Sequence, residues 1–376
     1  MDKSINIVAF NVPYPPNYGG VIDVYYKLSA LHAAGVKIIL HCFAYERPPA
    51  RELALLCEEV YYYRRRTGWA ANITLLPYNV YSRKSPELIA NLLKNDYPVL
   101  FEGLHSCYYI GDKRLAGRCK IYRASNIEHD YYRLLARSCH GLTVKTFMRI
   151  EAWRFKRYQR VIAHACLTLA VSATDTAYLR QTFPGKRIEC MATFHANDEI
   201  TAQPGLSGFI LYHGKLSVAE NEHAALYLIK HVFSRLNHPC VIAGMDPSRR
   251  LADAAAAHPN ITLEANPSSE RMNQLIREAQ IHLLITFQDT GLKLKLLNSL
   301  FAGRHVVVNR LMLAGSGLDP LCHVADTPDE MIDTCNRLIS LPLSPECIRE
   351  RGDFLIPAYS NRHQAKRLYD MIYEDL

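Results

Sequence analysis

Short apolar runs recur along the chain at spacings that leave room for a helix between them. Residues 5–10 (INIVAF), 36–43 (VKIILHCF), 98–103 (PVLFEG), 119–124 (CKIYRA) and 166–172 (CLTLAVS) are apolar nearly throughout. Continuous runs of this kind mark strands buried on both faces of a parallel sheet. Between the first two, VIDVYYKLSALHAAG predicts a helix stopped at Gly35 by a C-terminal glycine cap. A longer helical region is expected over about 128–165. Residues 192–208 (ATFHANDEITAQPGLSG) lack periodicity and read as a linker. The alternation then restarts with strands at 209–214 (FILYHG), 240–244 (CVIAG), 261–265 (ITLEA), 281–286 (IHLLIT) and 305–309 (HVVVN). Helices are expected between them, near 221–236, 248–257, 269–279 and 292–302. Two strand–helix series on either side of one linker predict an α/β protein with two doubly wound, Rossmann-like domains. The tail YSNRHQAKRLYDMIYEDL reads as a helix whose apolar stripe, Leu368, Met371 and Ile372, needs a surface to pack on.

Composition narrows the class. At 376 residues the chain is long for one core, and 49% hydrophobic with 21% charged residues fits a folded protein, not a disordered one. No apolar stretch reaches the roughly 18 residues of a spanning helix. The start, MDKSINIVAFNVPYPP, has too short an apolar run for a secretory signal, so a cytoplasmic location is expected. Eleven cysteines with no C-x-x-C pair, several in apolar runs such as VIAHACLTLAV, read as reduced thiols. A net charge of +8 is mild, but it favours anionic partners such as sugar nucleotides or lipid phosphates; no nucleic-acid partner is expected. The basic residues cluster at Arg64–Arg66 and within 148–160 (MRIEAWRFKRYQR), where Trp153 and Phe155 are interleaved. That second segment has two readings, a solvated helix face or a peripheral contact with anionic membrane.

In open α/β sheets ligands bind beyond the carboxyl ends of the strands, which singles out four loops. PYPPNYGG (13–20) offers Gly19 and Gly20 before a helix, where backbone N–H groups can approach a phosphate or sugar. It is not G-x-G-x-x-G, so the dinucleotide fingerprint is absent, and a glycine pair at a turn is as often structural. LYHGKLSVAENEHAAL (211–226) places Gly214 and Lys215 in a second such turn. TFQDTGLKLKLLNSLFAG (286–303) is the most informative. After Gly291, a helix from Leu292 to Phe301 is apolar on nearly every side, yet it carries Lys293, Lys295 and Asn298. Lysine is rarely buried without a partner, and two cations at a helix start oppose the macrodipole. Lys295 and Asn298, three apart, share a face. A bound anion resolves both costs; the alternative is snorkelling to solvent. The fourth region, FEGLHS (101–106) with YRASNIEHDYY (122–132), gathers Glu102, His105, Arg123, Asn126, Glu128, His129 and Asp130 at two strand ends. No metal site is expected, because H-E-x-x-H and D-x-D are missing and three consecutive residues cannot all face one ion.

At these motifs the chain resembles the retaining family 4 glycosyltransferases of the GT-B fold. The resemblance runs nearly end to end, through YPPNYGG, NIEHDYY, FHAND, HGKLSVAENEHAA and TGLKLKLLNSLFAGRHVVVN, and is strongest to a bacterial subgroup found with surface-polysaccharide genes. It implies two Rossmann-like domains facing a central cleft: an acceptor domain over 1–196, a donor domain over 207–355, and a helix over 356–376 returning to the first domain. It implies a metal-independent hexosyltransferase with no cofactor beyond its co-substrate, a UDP- or GDP-sugar, and a glycan or lipid-phosphate-linked acceptor. The donor would meet Gly214, Lys215, Thr290, Gly291, Leu292, Lys293, Lys295 and Asn298, with Lys215 and Lys295 on the diphosphate. Gly19, Gly20 and His129 would bind acceptor, and His105, Arg123, Asn126 and Glu128 would form the catalytic group. Thr290 and Asn298 stand where the family usually has two glutamates, Ser125 where it often has histidine, and Ala219, Glu220 and Asn221 around its usual Glu-Lys-Gly. A nucleotide-binding partner without catalysis and a nucleotide-sugar epimerase remain as alternative readings.

Overall fold

A computed structural model describes residues 3–68, 73–139, 141–288 and 294–374. The chain divides into two units, Met1–Ala196 with Asn361–Leu376, and Asn197–Ser360.

In the first unit the apolar runs become strands β1 (Ser4–Ala9), β2 (Lys37–Ala44), β3 (Glu59–Arg64), β4 (Val99–Glu102), β5 (Lys120–Ala124), β6 (Leu167–Ala170) and β7 (Arg187–Cys190). They pair in the order β3-β2-β1-β4-β5-β6-β7, parallel throughout. The chain order reverses between β1 and β4, so this is the unit's topological switch point. Side chains alternate between two apolar layers. Val8, Phe101, Tyr122 and Ala124 lie with Leu88, Ile89, Phe155 and Leu179. Those last four sit on helices α3 (Pro86–Leu92), α5 (Leu142–Tyr158) and α6 (Ala173–Thr182), α2 being the short turn Tyr78–Tyr81. Ile7, Leu100 and Ile121 lie on the opposite side, with Val24, Leu28 and Leu31 of α1 (Gly19–Ala33). The C-terminal helix Asn361–Tyr373 joins this second layer through Ala365, Leu368, Met371 and Ile372. Leu368, Met371 and Ile372 each contribute about 1.5–3 kcal/mol by leaving water, and Tyr373 Oη donates to the Ser4 carbonyl at 2.8 Å. The apolar stripe read from the tail thus finds its surface on the unit that the chain entered first.

Several features of this unit differ from the sequence reading, which held neither β3 nor β7, the two edge strands of the sheet. The run at 128–165 is not one helix: α4 (Glu128–Ser138) ends before Gly141, whose φ of 91° suits glycine, and α5 starts again at Leu142. The Arg64–Arg66 cluster lies at the end of β3, an edge strand the reading overlooked. Its signal is the β-branched and aromatic run Val60–Tyr63.

The second unit repeats the plan. Its strands are β8 (Ile210–Lys215), β9 (Cys240–Met245), β10 (Ile261–Ala265), β11 (Ile281–Leu284), β12 (His305–Val308) and β13 (His323–Val324), and all pairings are parallel. The order is β10-β9-β8-β11-β12-β13, with the switch between β8 and β11. Helices α7 (Ala219–His231), α8 (Arg249–Ala256), α9 (Ser269–Glu278), α10 (Leu294–Ala302) and α11 (Arg310–Leu313) fill the crossovers. At Gly214 and its register partner Gly244 the backbones approach so closely that a Cβ on Gly244 would lie 1.8 Å from the Gly214 carbonyl oxygen. Helix α12 (Pro328–Leu338) is set by a Thr327/Glu330 capping box with Pro328 in the first turn. Helix α13 (Pro345–Tyr359) keeps residues 356–359 in this unit, later than the boundary expected at 356. The reason is Arg351, which donates to the carbonyls of Leu300, Gly303 and Arg304 at 3.0, 2.8 and 2.7 Å and ties α13 to the end of α10.

Candidate functional site

In the second unit, polar groups collect at the carboxyl ends of β8 and β11. Gly214 leaves room for the Asn221 side chain, which a Cβ there would meet at 3.2 Å. The Asn221 amide donates to the Lys215 carbonyl at 3.0 Å and accepts from Lys295 Nζ at 3.0 Å. Lys295 also lies 3.5 Å from Tyr212 Oη and 5.0 Å from that ring's centroid, a cation–π position. The amine is therefore half-buried at the switch point, bonded to Asn221 and set over the Tyr212 ring. Lys215 is exposed beside it. Glu220 accepts a hydrogen bond from Thr286 Oγ1, and Asn309 clamps the Thr286 backbone by bonds of 3.1 and 2.7 Å. Asn298, on the same face of α10 as Lys295, accepts from Asn197 Nδ2 at 2.8 Å. Thr290, Gly291, Leu292 and Lys293 lie outside the described residues.

In the first unit the corresponding ends are those of β1 and β4. Gly19 opens α1, and at Gly20 an added Cβ would strike the Phe10 ring at 2.7 Å, so this glycine permits the helix to start against that ring. Phe10 and Phe155 flank His105, at centroid distances of 6.2 and 5.3 Å. Glu128, at the start of α4, brings Oε2 to 3.6 Å from His105 Nε2, beyond hydrogen-bond range. Burial raises the Glu128 carboxyl to about 8 against the pull of Arg83. Burial, Arg83 and Arg65 hold the His105 imidazole down to about 3. Near neutral pH the pair is a protonated acid beside a neutral base, with His105 the more accessible at 19% against 2%. Titratable groups displaced this way cluster at functional sites. Asn126 is half-buried in the turn between β5 and α4.

A pH test follows from the sign of the Glu128 shift. A carboxyl raised from 4.5 to about 8 supports the folded state fully below 4.5, and that support is lost as pH rises through 8. Glu128→Gln cannot lose it. The melting temperature of the variant relative to the parent should therefore climb between these two pH values, as read by thermal melts. A flat difference would show that Glu128 ionises normally.

Two expected site residues are corrected. Arg123 is fully buried and its guanidinium is committed: to the carbonyls of Met191 and Ala192 at 2.7 and 2.9 Å, and to Asp23 at 3.3 and 3.4 Å. It cannot reach a substrate. Asp23 also accepts from Lys27 at 3.0 Å and from the Phe194 N–H at 2.8 Å, and Lys27 reaches Glu102 at 2.7 Å. Burial raises the Asp23 carboxyl, but Arg123 and Lys27 outweigh it and bring it to about 2. This buried set of two cations and two carboxylates anchors the strand-end segment 191–194 to α1. The second correction is His129, 2% exposed, whose Nε2 faces Tyr178 Oη on α6 and Asp130, both at 3.5 Å. Its ring turns into the helical layer and does not join His105. The sequence missed Asp23 and Lys27, although two charges four apart on the buried face of α1 carry the same signal that drew attention to Lys295. Asn221 and Tyr212 gave no such signal. Among the described residues no cluster of three or more His, Cys, Asp or Glu could hold a metal ion, and no helix is long and apolar enough to cross a membrane.

No family model matches the chain. One curated relative, an uncharacterized 44.6 kDa protein in the cps region of Klebsiella pneumoniae, is 28% identical over 159 residues. That match covers 40% of this chain and 41% of the relative, so the chain spans less than half of the relative's length. Among solved structures, TarM superposes with a TM-score of 0.72 at 9% identity, covering 100% of this chain and 99% of its own. A TarM variant from S. aureus was solved with fondaparinux, α-GlcNAc-glycerol and UDP. A glycosyltransferase from Rickettsia africae gives 0.65 at 12% identity, with 100% of both chains covered. Anabaena HepE, in complex with UDP and glucose, gives 0.60 at 10% identity, covering 99% of this chain and 95% of its own. With two parallel sheets of seven and six strands and these neighbours, the chain has the GT-B fold.

Proposed function

We propose that the chain is a glycosyltransferase that moves a hexose from a UDP- or GDP-sugar to a glycan or lipid-phosphate-linked acceptor in surface-polysaccharide synthesis. The observation that carries this is Lys295, a cation kept half-buried at the β8/β11 switch point beside the Gly214 turn. Such an arrangement suits a diphosphate. The structural neighbours solved with UDP and the relative from a cps region support the same reading. The diphosphate would lie against Lys215 and Lys295, whose charge stabilises it as the bond to the sugar breaks. In a retaining reaction the acceptor hydroxyl enters on the face the diphosphate leaves, and a leaving oxygen takes its proton. Binding and positioning then supply most of the rate, and no metal or cofactor is required.

A panel of UDP-, GDP- and other nucleotide sugars should raise the melting temperature selectively, since a ligand at 100 times its Kd stabilises by about 2.7 kcal/mol. The donor so found should release nucleoside diphosphate only when acceptor is present. No shift with any donor would refute the reading. The second reading is a nucleotide-binding partner without catalysis, favoured by one observation: Asn298, in place of a glutamate, is held by Asn197. Its signature is a thermal shift without turnover in the presence of acceptor.

The acceptor class fits a cytoplasmic protein held peripherally at anionic membrane by α5. That helix exposes Leu142 (78%), Trp153 (49%) and Ile150 (44%) along one stripe with Arg149 and Arg157. The Arg157 guanidinium lies 5.1 Å from the Trp153 ring centroid. Phe155, grouped with Trp153 in the sequence, is fully buried against Tyr132 and plays no part in this face. Vesicles of phosphatidylglycerol should co-sediment the protein, and those of phosphatidylcholine should not. Trp153→Ala together with Arg149→Glu should abolish the difference. Equal behaviour of the two vesicle types with the parent protein would exclude this contact.

A further inference from the structure

The chain has eleven cysteines. All are free thiols, and one pair stands apart: Cys119 Sγ and Cys166 Sγ are 3.2 Å from each other. Cys119 leads into β5 and Cys166 into β6, at the amino ends of adjacent strands, where the Cys166 N–H donates to the Lys120 carbonyl at 2.8 Å. Both side chains are half-buried, in contrast to Cys42, Cys57, Cys107, Cys240 and Cys335, which are buried. They border the apolar layer that receives Tyr369 and Tyr373 of the C-terminal helix.

We infer that Cys119 and Cys166 are a reversible dithiol, a modification site that a small-molecule disulfide such as oxidised glutathione converts to an intramolecular disulfide. Adjacent strands fix the two residues as neighbours, and the sulfurs are already closer than two unbonded thiols usually sit, so a modest side-chain rotation completes the bond. Cys166 is the attacking group. The Cys119 thiol and nearby backbone N–H groups favour its thiolate and bring it to about 7 although burial opposes this. In the first step the Cys166 thiolate displaces one thiolate from the small disulfide and forms a mixed disulfide. In the second, the Cys119 sulfur gives up its proton and attacks the Cys166 sulfur, expelling the second thiolate. The protein loses two protons and two electrons, and the oxidant takes up both and leaves as two thiols. The bond closes a loop of 47 residues, and that loop carries α4 and α5, hence Asn126, Glu128 and Trp153. Oxidation therefore staples the part of the first unit that bears its candidate site, whatever reaction the site performs.

The test uses the full chain in a Cys347→Ser background, which removes the exposed thiol. After equilibration with oxidised glutathione, a peptide map under non-reducing conditions should join the peptides holding Cys119 and Cys166. The melting temperature should rise by roughly 5 °C or more, as expected for a cross-link closing a long loop, and fall back on adding reductant. Cys119→Ser and Cys166→Ser should each abolish the link and the shift; Cys119→Ala and Cys166→Ala repeat the result in case serine disturbs packing. A map joining other cysteines first, glutathione held singly at Cys119 or Cys166, or an oxidised protein that melts with the reduced one would each overturn the inference.

Discussion

Lys295→Ala is expected to slow sugar transfer at least about tenfold, and by up to about 10³-fold, with little loss of stability. The stability cost should be small because Lys295 is only half-buried and its bond to Asn221 Oδ1 is part-exposed, a contact worth about 1 kcal/mol. The rate cost should be large because charge develops on the departing diphosphate in a partly desolvated place, where a fixed cation acts far more strongly than in water. Turnover is read as nucleoside diphosphate released in the presence of acceptor, alongside a thermal melt. Lys295→Arg keeps the charge but changes its shape, so it should recover part of the rate. Parent-like turnover in Lys295→Ala would remove the donor site from this position.

Arg123→Ala should do the opposite, destabilising the first unit while touching no reacting atom. The substitution leaves Asp23 and Glu102 buried with Lys27 alone. Removing one partner of a buried ionic set costs about 3–5 kcal/mol, here a fall in melting temperature on the order of 10 °C. It also strands the carbonyls of Met191 and Ala192. The parent should show a matching acid limit. Asp23 sits at about 2, below its ordinary 3.8, so its contribution is complete above 3.8 and is lost as pH falls through 2. In Arg123→Ala that loss should begin at higher pH. A variant that melted with the parent but lost turnover would restore Arg123 to a catalytic role.

The fold was legible because its signals are local. Continuous apolar runs such as VKIILHCF, and a glycine at the end of VIDVYYKLSALHAAG, state their structure within a few residues. So does the stripe on the C-terminal helix; the lysines of the greasy segment LKLKLLNSLF stand out in the sequence because burying a charge carries the same cost wherever it falls. What the sequence left undecided was the direction of each side chain. In a strand buried on both faces, neighbours are equally apolar, so nothing local says that Arg123 turns to α1 while Tyr122 turns the other way. The same holds for His105, Glu128 and His129: their places in the chain are adjacent or suggestive, but the pairing of the first two and the diversion of the third toward Tyr178 were settled by helix packing. Asn221, Tyr212 and the Cys119–Cys166 pair belong with them. Sequence sets which elements form, because hydrogen bonding and burial act at short range. Which side chains meet depends on strand register and on crossovers that join residues dozens of positions apart, and only the tertiary structure decides that.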